Sequence, residues 1–123
     1  MSYIVYRMIH LLGIFTLLIA LAASAIHILR GGTRAGDPHR RTLAIAHGIS
    51  AFLILLGGFG MLARLGIVHG GLPNWVYAKL TIWLLLSAAF MLVYRGTRFA
   101  GSLLIAMPFL ALLAAAIAIY KPF

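Results

Sequence analysis

Three histidines and one lysine interrupt stretches of chain that are otherwise free of charge: His10, His27, His47 and Lys79. A neutral imidazole is a good ligand for a haem iron, whereas an amine must first lose its proton and in its charged form pairs with a carboxylate such as a haem propionate. Lys79 closes the stretch Leu72-Pro-Asn-Trp-Val-Tyr-Ala-Lys79. Pro73 and Asn74 suit a helix start, and Trp75 and Tyr77 suit a lipid headgroup layer, so the ammonium falls about one turn inside the apolar span that follows. Plainer roles compete with these. An imidazole inside a membrane can bond a hydroxyl or carbonyl of a neighbouring helix, and a lysine one turn deep can snorkel back to the headgroups.

The elements that position these groups follow from composition. Of the 123 residues 64% are hydrophobic and 9% charged, and Asp37 is the single acidic one. A soluble domain of this size could not cover itself with so little polar material, so the chain belongs in a lipid bilayer. Eight Arg and two Lys give a formal charge of +9, but they cluster at the ends of apolar runs. That is the pattern of topology signals and headgroup contacts, and it argues for no nucleic-acid partner. The absence of Cys excludes disulfides, thiolate metal sites and covalently attached haem.

Uncharged runs cover residues 8–29, 42–63, 80–94 and 99–120. Three are 22 residues long, about 33 Å as helix, matching a hydrocarbon core of roughly 30 Å. The third is shorter, so its helix must begin near Pro73 and carry Lys79 inside it. The sequence therefore predicts an all-α membrane protein, a four-transmembrane-helix bundle forming one domain over residues 1–123. The first run resembles a secretory signal around Ala23-Ser24-Ala25, but it continues through Leu29, beyond the usual length of a signal core, and is read as a retained helix. Arg30, Arg34, Arg40, Arg41, Arg95 and Arg98 fall on one side, against Arg7, Arg64, Lys79 and Lys121 on the other. The positive-inside rule then puts the first and third loops in the cytoplasm and both termini in the periplasm of a bacterial inner membrane. The first loop reads as a basic turn against anionic lipid. His69, in the glycine-rich second loop, reads as exposed.

At 100° per residue, His10, Gly13, Leu17, Ala20, Ser24 and His27 share one face of the first helix. His47, Ala51, Ile54, Gly58 and Met61 line up on the second, and Lys79, Trp83, Leu86 and Phe90 on the third. Faces of small and polar residues in a membrane look toward other helices or a cofactor. Counting depth from the helix ends makes two layers. One holds His10 and Lys79, with Tyr6 and Arg7 close by; the other holds His27 and His47. No Asp or Glu lies within any span, which weighs against a carboxylate proton relay.

Short motifs add a resemblance. Tyr6-Arg-Met-Ile-His10, Arg30, Ala46-His-Gly48 with Gly57-Gly58, the Leu72–Lys79 stretch and the closing Lys121-Pro-Phe123 together resemble small bacterial four-helix membrane proteins. The second-helix His and Trp75-x-x-Ala-Lys79 look like the SirB family. The first-helix His, the same Lys and the Lys-Pro-Phe end look like HemJ-type protoporphyrinogen oxidases, which contain haem. The resemblance implies that His10, Arg30 and Lys79 matter, with His10 as the haem ligand. The chain departs from that type at Val93-Tyr-Arg95, which has no histidine, and at Ile105-Ala-Met-Pro108, where the type has Asn-Glu-x-Pro, so the oxidase reaction is not carried over. The expectation is a small haem-b-binding or electron-transfer protein, or the haem-type subunit of a larger membrane complex or homo-oligomer. A cofactor-free accessory subunit packed against partner helices is the alternative. A pore or transporter fits less well, because too few polar residues exist to line a path.

Overall fold

Each apolar run folds as one helix. A computed structural model describes residues 2–66 and 71–121; His69 and the final Pro122 and Phe123 lie outside the described residues. The first helix, α1 (Tyr3–Leu29), is capped by Ser2, whose Oγ accepts from the Val5 N–H at 3.3 Å. After the first loop comes α2 (Arg40–Arg64). Pro73 then sets the extended backbone ahead of α3 (Asn74–Leu92), as its fixed φ and missing N–H favour. A 3₁₀ turn, Val93–Arg95, continues α3, and Gly96 at φ 151° reverses the chain directly into α4 (Thr97–Tyr120). All four helical segments are long and apolar enough to cross a membrane, and the chain is a multi-pass membrane protein.

The helices run alternately up and down, each packing on its chain neighbours, with α4 also against α1. Leu17, Leu21, Ile82, Leu86 and Met107 fill the centre, while Ile4, Met8, Leu12, Phe15 and Ile19 of α1 look outward into lipid.

The seams differ in width because their side chains differ in size. Along the α1–α2 seam, a Cβ on Gly13 would lie 2.8 Å from the Ser50 carbonyl oxygen, and one on Gly57 would lie 2.5 Å from the His10 main-chain nitrogen. Gly60 leaves room for the Tyr6 ring in the same way. Missing side chains let the backbones touch, the usual means of helix association where lipid is as apolar as the helix surface. The α2–α3 seam is looser. Long side chains bridge it: Trp83 Nε1 donates to the Ala51 carbonyl at 3.0 Å, and His47 Nε2 donates to the Leu86 carbonyl at 3.3 Å.

Candidate functional site

The end of the bundle where α1 and α3 begin brings together two of the candidate residues, His10 and Lys79. Two adjoining cavities of about 160 and 360 Å³ open there, and His10, Lys79 and Trp83 line both. The larger is of a size that takes small molecules, which ranges over roughly 300–1,000 Å³. Its far wall is Ala111, Ala114, Ala115 and Ala118 of α4. These positions lie on one helical face, and their small side chains keep α4 from filling the space. Arg7 borders the larger cavity and Lys121 the smaller. Lys121 also places its ammonium 5.4 Å from the centre of the Trp75 ring.

His10 is held by one bond. Its Nδ1 lies 2.8 Å from the Ile54 carbonyl oxygen, which can only accept, so Nδ1 carries the proton and Nε2 keeps the lone pair. Backbone contact at Gly57 fixes the same turn of α1 against α2, whereas a Cβ at Gly58 would find ordinary contact room beside the His10 ring. An imidazole pinned through one nitrogen and free at the other is how proteins orient a metal ligand. Lys79 enters from α3, and with Arg7 and Lys121 it makes the cavity mouth cationic. The only acidic side chain, Asp37, sits at the opposite end of the bundle. The cavities therefore suit an apolar body that carries acidic groups.

His10 and Lys79, expected in one layer, line the same two cavities. The other candidates are dispersed. His27 Nε2 donates to the Thr33 carbonyl at 2.8 Å, its ring packed over Gly32, so it secures the first loop. His47 is buried in the α2–α3 seam, with its ring 4.9 Å from that of Phe90. The two imidazoles of the second layer take separate partners. Arg30 caps the C-terminal end of α1 and is exposed, about 30 Å along the helix axis from His10, so it cannot serve the His10 cavity.

Among the described residues no three His or acidic side chains converge as a metal cage. His10, through its free Nε2, and the cationic side chains of Lys79 and Arg7 are the groups here that could hold a cofactor carrying acidic groups. Sequence reasoning missed the alanine face of α4 and the part played by Lys121. The spacing of Ala111, Ala114, Ala115 and Ala118 was the available signal for the first. Another unforeseen feature is at the far end: Tyr94 donates to Asp37 Oδ2 at 3.0 Å, with its hydroxyl oxygen 3.3 Å from Ser24 Oγ, tying the first loop to α1 and the end of α3. No family model, curated protein or solved structure matches the chain.

Proposed function

We propose that this chain is a small haem-b-binding protein of a bacterial inner membrane, acting in electron transfer or as the haem-bearing subunit of a larger complex. The observation that carries this reading is His10, whose Nδ1 is committed to the Ile54 carbonyl and whose ring lines a largely apolar cavity beside Lys79. His10 would ligate the iron through Nε2, while Lys79 and Arg7 would hold the propionates. The apolar walls, Trp83 and Ile82 among them, would keep water from the macrocycle. Haem bound there supplies one-electron chemistry. The resemblance to SirB and HemJ-type proteins supports the same reading through His10 and Lys79, and the arginine count favours periplasmic termini, which puts this cavity at the periplasmic face.

Protein purified in detergent from haem-replete cells should show a Soret band that shifts on dithionite reduction, and His10→Ala should abolish it. A colourless protein that takes up no added hemin would refute the proposal. Retention of the band in His10→Ala and Lys79→Ala, with its loss in His27→Ala or His47→Ala, would move the iron to the other layer. The accessory-subunit reading has one observation in its favour: Gly48 leaves open space on the exposed side of α2, where a partner helix could approach closely. It is the reading that a colourless protein would favour.

A further inference from the structure

The end of the bundle opposite the His10 cavities carries a different cleft. It lies where α2 begins and α3 stops, measures about 700 Å³, and is lined by Arg34, Arg40, Arg41 and Arg95. Below the arginines its walls are apolar, with Ala44, Ala88, Met91 and Leu92 along the loose α2–α3 seam. The small Ala44 and Ala88 leave a furrow between the two helices that runs from the guanidinium groups toward the hydrocarbon layer.

Four guanidinium groups around one cleft attract anions, and the chain has almost none to give. Asp37 is its single acidic residue, and that carboxylate is already engaged: Oδ1 accepts from the His39 N–H at 2.9 Å and Oδ2 from the Tyr94 hydroxyl at 3.0 Å. An anion that pairs with these arginines therefore comes from another molecule. Guanidinium groups bind phosphate oxygens with well-matched geometry, and a cleft cationic at its rim and apolar along its length matches a molecule built the same way.

We infer that this cleft binds one anionic phospholipid, its phosphate among Arg34, Arg40, Arg41 and Arg95 and an acyl chain along Ala44, Ala88 and Met91. This site is separate from the His10 cavities and does not depend on what they hold. The lipid would fill the seam that the protein's own side chains close least well.

Native mass spectrometry of the delipidated full chain in neutral detergent tests this. Phosphatidylglycerol should bind as one retained molecule per chain, with at least about a tenfold preference over phosphatidylcholine of the same acyl chains, since basic residues at a membrane surface each contribute about fivefold. Arg41→Gln with Arg95→Gln should weaken it by roughly 25-fold on the same scale, whereas Arg64→Gln, at the other end of α2, should leave it unchanged. Arg41→Lys with Arg95→Lys keeps the charge and should keep the preference, which serves if the glutamine variant loses its helicity. Equal retention of both lipids, or unweakened phosphatidylglycerol in a folded glutamine variant, would overturn the inference. Displacement of the lipid by equimolar inorganic phosphate would overturn it too, because it would mean that the apolar furrow contributes nothing.

Discussion

Alanine at position 57 would place a methyl 2.5 Å from the His10 main-chain nitrogen and 2.6 Å from both the His10 Cβ and the Tyr6 carbonyl oxygen. Non-bonded heavy atoms of this kind settle at about 3.5–4.0 Å, so α1 and α2 must part by on the order of 1 Å at this level. Two of the obstructing atoms belong to the main chain, and no rotamer change relieves them. Overpacking of this kind costs about 1–3 kcal/mol, partly offset by the gain of up to about 1 kcal/mol that alanine brings to a helix over glycine. Gly58→Ala is the matched control. It has the same propensity gain, but its nearest neighbours are His10 ring atoms at 3.5 Å, an ordinary contact. Comparing the two variants cancels propensity and leaves the steric cost, so Gly57→Ala should be the less stable by about 2 kcal/mol. Reversible unfolding in mixed detergent–dodecyl sulfate micelles, followed by far-ultraviolet circular dichroism, measures this. The same displacement would stretch the 2.8 Å bond from His10 to the Ile54 carbonyl beyond hydrogen-bonding length, so any Soret band should weaken or broaden in Gly57→Ala and persist in Gly58→Ala. Equal stability of the two variants would refute the close α1–α2 contact and with it the account of how His10 is held.

On the proposed haem reading, Lys79→Met, which keeps much of the side-chain bulk but removes the cation, should speed haem loss about tenfold if a charged hydrogen bond of roughly 1.5 kcal/mol is given up; an unchanged dissociation rate would remove Lys79 from the site. Tyr94→Phe takes the hydroxyl from Asp37 and Ser24 and should lower stability by about 1–3 kcal/mol in the same micelle assay, because a buried carboxylate oxygen loses its partner. No change there would make the tie between the first loop and α3 incidental. Neutralising Arg34, Arg40 and Arg41 together should weaken or invert the orientation in the membrane, and a reporter fused to the C-terminus should read as periplasmic in the parent. A cytoplasmic signal from the parent would reject the charge count.

What the sequence determined is what depends on local geometry and on composition. One acidic residue in 123 and long uncharged runs leave only a bilayer as solvent. The short run after Lys79 required a helix starting near Pro73, and α3 does begin at Asn74. Because a helix rises by a constant amount per residue, counting placed His10 and Lys79 at one depth, and they line the same cavities. Rotation about each helix axis was less legible. The face expected to look inward on α2 runs through His47, Ala51, Ile54, Gly58 and Met61; His47 and Ala51 are buried and the other three line the cavity, but the close contact with α1 falls beside that face, at Ser50 and Gly57. In water, burial separates apolar from polar positions and the pattern reveals the face; in lipid both sides of a helix are apolar, and the pattern flattens. Tertiary packing alone decided that Gly57 rather than Gly58 meets α1, that the Ile54 carbonyl takes the His10 proton, that α4 turns its alanines to the cavity, and that Asp37 folds under Tyr94. Each of these depends on how close two backbones come, and that distance is set by the side chains of both helices together.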